Sequence, residues 1–142
     1  MNFQPTVDVV IPTYERPLKY SFQSEMLFDA IKSVLNQTYP VNSIFVVADG
    51  KSPSAKKIVK KFSDDKIIFL ETGEKKGGGS ARNVGIRASK SDFVAFLDDD
   101  DIWRSDKIEK QVFFLSKNRK KDMAFCFTQV KSEEKRFSNS SK

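Results

Sequence analysis

The run FVAFLDDDDIW, Phe93 to Trp103, joins the chain's most apolar segment directly to its densest negative charge. Side chains alternate along an extended backbone. A strand continued through the run would set Asp98 and Asp100 on one side, Asp99 and Asp101 on the other. Two carboxylates ~4 Å apart repel by about 4 kcal/mol at an effective dielectric near 20. Four in succession therefore need something positive among them. Hard divalent cations prefer oxygen ligands, and Mg2+ is usually held by one or two carboxylates together with substrate phosphates. The chemistry in view is a cation bridging the protein to a diphosphate. The competing reading is a solvated turn in which Asp101 or Ser105 caps the next helix, whose N-terminus favours negative charge. A calcium EF-hand is excluded. Counted from Asp98, Glu109 fits the last position of such a loop, but Trp103 stands where its glycine is required.

A second candidate is GEKKGGGSARN, Gly73 to Asn83. It matches neither the P-loop nor the dinucleotide-binding glycine pattern. It offers a loop that ends at a helix N-terminus with Arg82 alongside, an arrangement suited to an anion. The plainer alternative is a mobile surface loop with a solvated arginine. The chain has no histidine, hence neither the usual general base nor the commonest metal ligand. Its single cysteine, Cys126, lies in the apolar run AFCFT and reads as a packed core residue. No intrachain disulfide is available, which suits a reducing compartment.

These groups must be positioned by the elements around them. VDVVIPTY (residues 7–14), SIFVVADG (43–50), KIIFLET (66–72), DFVAFL (92–97) and MAFCFTQV (123–130) read as strands. Phe22, Met26, Leu27, Ala30, Ile31, Val34 and Leu35 share one face of a helix that Pro40 forbids to continue. A second helix starts with Ser52 as N-cap and Pro53 in its first turn. A third carries Ala81, Val84 and Ala88 inward. A fourth, capped by Ser105, carries Ile108, Val112 and Leu115. Strands apolar on both faces that alternate with helices predict an α/β fold: a mostly parallel sheet covered by helices on both sides. Ligands of such sheets bind at the carboxyl ends of the strands. PTYER, ADG and DDDD all follow strands and should gather along one edge.

The 142 residues suffice for one domain with a real core. The formal charge is +6, yet residues 1–103 carry equal numbers of basic and acidic groups, so the whole excess comes from residues 104–142. That basic region is solvated charge or a contact for an anionic partner such as a membrane surface. No base-stacking or groove-reading pattern accompanies it, so nucleic acid is not expected. The first residues lack the basic and apolar regions of a signal peptide, and no apolar stretch approaches the ~20 residues needed to span a membrane. The expected location is cytoplasmic, with peripheral contact at the cytoplasmic membrane face.

Taken together, VVIPTYERP, AIKSVLNQTYP, FVVADG, GGGSARNVGI and DFVAFLDDDDIWRSDKIEKQ, in this order and spacing, resemble the N-terminal half of inverting family 2 glycosyltransferases. The resemblance covers roughly Val7 to Leu115. It implies the GT-A fold, truncated after the donor half. Residues 1–130 would form the nucleotide-sugar-binding domain and 131–142 a polar, disordered tail. It implies that Pro12, Thr13, Tyr14 and Glu15 cradle the nucleoside of a nucleoside-diphosphate sugar, most commonly a UDP-sugar. Asp49 would touch the base, and Arg82 would lie at the donor pocket. Asp98 would face the ribose or the metal, and Asp100 would bind Mg2+ or Mn2+. Asp99 and Asp101 would flank them, with Asp99 counted on the nucleotide-sugar side.

Trp103 is expected to pack rather than react. The sugar would pass to a saccharide or lipid-linked acceptor, as in polysaccharide biosynthesis. Three departures stand out: Ala48 replaces the first acid of the family's DDG, LKYSFQSE (18–25) lengthens a loop over the donor pocket, and the acceptor half with its general base is expected downstream. None of Glu109, Asp122, Glu133 or Glu134 stands in the context of that base, so this chain alone is expected to bind donor and transfer little. The alternative from another class is a non-catalytic nucleotide-binding or partner-docking module.

Overall fold

The two segments richest in β-branched residues, VDVVIPT and SIFVVA, become the two inner strands of the sheet. A computed structural model of the chain describes residues 4–17, 23–118, 120 and 123–124. In chain order the elements are β1 (Val7–Thr13), α1 (Gln23–Leu35), β2 (Ser43–Ala48), α2 (Pro53–Val59), β3 (Ile67–Glu71), α3 (Gly78–Ala88), β4 (Phe93–Phe96) and α4 (Lys107–Lys117). Every pairing is parallel, in the order β3-β2-β1-β4.

Parallel strands joined by crossover helices are buried on both faces, which is why they read as continuous apolar runs. On one face Val9 and Ile11 of β1 and Ile44 and Val46 of β2 pack against Leu27, Ala30, Ile31 and Val34 of α1 and against Ala55, Ile58 and Val59 of α2. Ile108 and Val112 of α4 join Val7, with Trp103 partly buried beside them, so this tryptophan packs as expected. On the opposite face Val10, Phe45 and Val47 receive Ala81 of α3, with Val84 and Ala88 alongside.

Gly85 sets how closely α3 lies on the sheet. A Cβ there would fall 2.5 and 2.6 Å from the two methyls of Val10, which is wholly buried. Gly85→Ala is therefore expected to destabilise the domain by about 1–3 kcal/mol, the usual range for overpacking. That outweighs the ~1 kcal/mol by which alanine is the better helix former. A urea titration would read it, and a variant as stable as the parent would show that α3 moves freely.

Three expectations change. α1 starts at Gln23, so Gln23–Glu25 are helix rather than loop, while Leu18–Phe22 lie outside the described residues. Helix α4 begins at Lys107 with Asp106 at the N-cap, and neither Asp106 nor Ser105 caps it through a side chain. Instead Gln37, just beyond α1, accepts the Ile108 N–H at 3.0 Å and donates to the Arg104 carbonyl at 2.7 Å. The third concerns the acidic run and is taken up below. The expected strand 123–130 and tail 131–142 fall almost wholly outside the described residues.

Candidate functional site

Parallel register brings the carboxyl ends of the strands together. Thr13 lies opposite Ala48, and Ala48 opposite Glu71. β4 ends three residues short of this line, with Phe96 opposite Val10, so the residues after it curl over the end of β1. The chain steps outward from β1 to β2 to β3 and then returns to the far side of β1. The crevice between β1 and β4 is thus the switch point where α/β sheets bind ligands.

The acidic run does not continue as a strand. β4 stops at Phe96, and the Asp101 N–H closes a turn on the Asp98 carbonyl at 3.1 Å. Alternation holds through Asp98, Asp99 and Asp100 and fails only at Asp101: Asp99 turns inward and is 4% exposed, Asp98 and Asp100 stay outside, and the turn leaves Asp101 outside with them. Arg16 fixes the inward acid. Its guanidinium donates to both oxygens of Asp99, at 2.7 and 2.8 Å, and the Thr13 hydroxyl donates a third bond at 2.6 Å. Burial alone would lower the Arg16 pKa, but hydrogen bonds and charge from Asp99 raise it above its ordinary value. The far side of the turn is also fixed, because the Trp103 N–H donates to the buried Ser33 hydroxyl at 3.2 Å. Arg16 was not singled out in the sequence. The signal was there in principle, since a carboxylate buried at the end of β4 needs a cation, and PTYER supplies one from the neighbouring strand.

Among the described residues the carboxylates of Asp100 and Asp101 have no hydrogen-bond or ion-pair partner, whereas Asp98 Oδ1 accepts from Arg82 Nη2 at 2.5 Å. Burial first, then the charges of Asp100 and Asp98, push the Asp101 pKa up. A raised carboxylate pKa marks a penalty that is present when the group is ionised and absent below its unfolded value. Asp101→Asn is therefore expected to be the more stable protein at neutral pH. The advantage should fade to nothing as pH falls below the ordinary carboxylate range. Melting temperatures from about pH 3 to pH 7 would show it, and equal curves throughout would mean the three carboxylates do not feel one another.

Among the described residues no three potential ligands converge into a ready-made cage. The donor set nonetheless fits Mg2+ or Mn2+, which take one or two carboxylates and complete their shell with water and substrate phosphate. Asp98 and Asp100, both outward, are the residues that could hold such an ion.

The remaining expected residues divide by geometry. Pro12 and Thr13 are buried, and the ring of Tyr14 is 41% exposed beside Arg16 and Lys75 of the glycine-rich loop. The Arg16 Cζ lies 4.3 Å and the Lys75 Nζ 5.2 Å from its centroid. Glu15 turns to the start of α2, where its Oε2 accepts from the hydroxyls of Ser52 and Ser54 at 2.5 and 2.7 Å. Burial would raise the Glu15 pKa, but these serine bonds hold it below the ordinary value. α2 has no acid in its own first turn, so Glu15 supplies the negative charge its N-terminus favours.

Asp49, buried at the end of β2, accepts the Lys76 and Gly77 N–H groups at 2.7 and 2.8 Å. Gly77 does this at φ +95°, a conformation open chiefly to glycine. Asp49 thus pins the glycine-rich loop, and that loop delivers α3 with Arg82 to the crevice. A cleft of about 520 Å3 opens beside the acidic turn, with Arg82, Asp98, Asp101 and Lys107 among its lining residues.

Sheet order and switch-point crevice define an α/β fold with one ligand-binding edge, and comparison with solved structures places it more closely. The mannosyltransferase PcManGT of Pyrobaculum calidifontis, solved with GDP-Man and Mn2+, superposes with a TM-score of 0.66 at 20% identity, over 81% of this chain and 33% of that one. The sheet is therefore of the GT-A type. The sequence model described as "Glycosyl transferase family 2" matches residues 8–142, and the chain belongs to that family. Among curated relatives, the putative teichuronic acid biosynthesis glycosyltransferase TuaG of Bacillus subtilis is 31% identical over 129 residues, 89% of this chain and 47% of that protein. WfgD of Escherichia coli, a UDP-Glc:alpha-D-GlcNAc-diphosphoundecaprenol beta-1,3-glucosyltransferase, is 34% identical over 112 residues, 79% of this chain and 42% of that protein. The chain thus spans less than half the length of these two relatives.

Proposed function

We propose that this domain is the donor side of an inverting glycosyltransferase that holds a nucleoside-diphosphate sugar, a UDP-sugar first among them, through Mg2+ or Mn2+. One observation carries the reading: at the β1/β4 switch point Asp99 is locked inward while Asp98, Asp100 and Asp101 are held outward in a fixed turn. A solvated turn needs no half-buried arginine gripping one of its acids. The relatives support the choice of ligand, since WfgD is a UDP-Glc-dependent glucosyltransferase and PcManGT was solved with GDP-Man and Mn2+.

In this reading Tyr14 offers its ring to the base. Asp49 would touch the base and sets the depth of the pocket by pinning the glycine-rich loop. Arg82 takes phosphate oxygens, Asp98 serves the ribose or the metal, and Asp100 is the principal metal ligand. When bound, a divalent cation there would neutralise charge that develops on the departing nucleoside diphosphate. The acceptor, a saccharide or lipid-linked saccharide, would attack the anomeric carbon from the opposite face.

Calorimetric titration of UDP and GDP into the chain, with and without Mn2+, tests the reading. Metal-dependent binding of one nucleotide is expected. A well-folded chain that binds neither would sink it and favour the partner-docking module.

A further inference from the structure

We propose that Arg82 is an exchangeable counter-ion for the acidic turn, so that the site disfavours a divalent cation alone and favours one that arrives with a diphosphate. The inference rests on the reading of this turn as a metal–diphosphate site and adds to it an order of preference.

The two arginine–aspartate pairs on adjacent acids are built differently. Arg16 grips Asp99 through two bonds, with side chains only 14% and 6% exposed. Arg82 reaches Asp98 through one nitrogen, with side chains 37% and 53% exposed. The first is a permanent tie. The second can open without disturbing the core, and an exposed pair of this kind is worth at most about 1 kcal/mol, roughly a fivefold factor. Asp98 is also the one outward acid with a cation already on it. Asp100 and Asp101 have none among the described residues.

A divalent ion that arrives alone must take Asp98 from Arg82 and then sit beside a guanidinium that has lost its partner. An ion that arrives with a diphosphate brings anionic oxygens to which the freed guanidinium can turn, restoring its charge-assisted hydrogen bonds. Arg82 therefore opposes one event and favours the other. Gly78, at the start of α3, leaves Arg82 room for its present hold on Asp98: a Cβ there would lie 3.1 Å from Arg82 Nη1 and crowd that pose. A purely structural arginine would not give effects of opposite sign on the two ligands.

The test follows the free Mn2+ signal by electron paramagnetic resonance, first with Mn2+ alone and then with UDP or GDP added. Arg82→Gln is expected to bind Mn2+ alone about fivefold tighter than the parent. It should bind Mn2+ with nucleotide about tenfold more weakly, as expected when a charge-assisted partner is lost. Arg82→Lys, which keeps the charge, should leave the Mn2+-alone affinity within about twofold. Gly78→Ala keeps every charge but crowds Nη1, and it should tighten Mn2+ alone by a smaller factor. It also serves as the test if the glutamine variant misfolds by circular dichroism. An Mn2+-alone affinity that stays unchanged or weakens in both Arg82→Gln and Gly78→Ala overturns the exchange. If the parent still takes up Mn2+ with nucleotide, the functional reading survives that result. A parent that takes up no Mn2+ under either condition overturns both.

Discussion

Arg16→Met is expected to remove about 3 kcal/mol of stability, the low end of the range for breaking a buried ion pair from one side, because Arg16 keeps 14% of its side chain exposed. Methionine fills much of the same volume, so the loss comes from charge rather than from a cavity. Asp99 would remain at 4% exposure with the Thr13 hydroxyl as its surviving partner. Domains of this size have about 5–15 kcal/mol in total, so the variant should unfold at markedly lower urea, and some of its molecules at no urea. Two further variants separate the causes. Arg16→Lys keeps the charge but cannot match the two-pronged contact, and it should fall between. Adding Asp99→Asn to Arg16→Met removes the stranded charge and should recover at least about 1 kcal/mol, a coupling readable by a double-mutant cycle. A loss below about 1 kcal/mol in Arg16→Met would mean that Asp99 simply swings out to water. In that case Arg16 would not aim the turn.

Much of this architecture could be read from local patterns. Val9, Val10 and Ile11 are consecutive and apolar because β1 lies between helices on both faces, and the sequence shows this directly. Ser52 and Pro53 announce α2, and the Ser52 hydroxyl does accept the Ala55 N–H at 3.3 Å. Such signals lie within a few residues of what they specify. The failures share the opposite property. Helix α4 is started by Gln37, 71 positions from the N–H it accepts, so a cap sought among Asp101 and Ser105 was sought in the wrong place.

The acidic run kept its alternation as far as Asp100 and lost it at Asp101, where the chain turns back on Asp98, and the partner that fixes Asp99 inward, Arg16, stands 83 positions away. Asp49 stood out in the sequence as a candidate, but its hold on the glycine-rich loop did not. Its partners there are backbone N–H groups, which any residue type except proline would supply. What the site needs most, a fixed direction for each carboxylate, is therefore what local sequence conveys least.

Asp100→Ala follows from that direction. The change should leave the fold as stable as the parent or slightly more so, because Asp100 is exposed, makes no described bond, and adds to the repulsion on Asp101. It should nonetheless reduce Mn2+-dependent nucleotide binding by about a hundredfold, or about 2.8 kcal/mol, because a site with so few protein ligands has little to replace one. Asp99→Asn is the matching control. It alters the same acidic run, but at the residue that faces inward, so it should lower stability first and binding only through the aim of the turn. Opposite patterns in neighbouring aspartates would separate a ligand from its support. If Asp100→Ala binds as the parent does while Asp101→Ala does not, the metal-binding position shifts by one residue, and the turn geometry rather than the alternate spacing decides which acids act. If neither matters and nucleotide still binds, the contacts from Tyr14 and Arg82 suffice, and the repulsion stored in the outward acids serves some other cation.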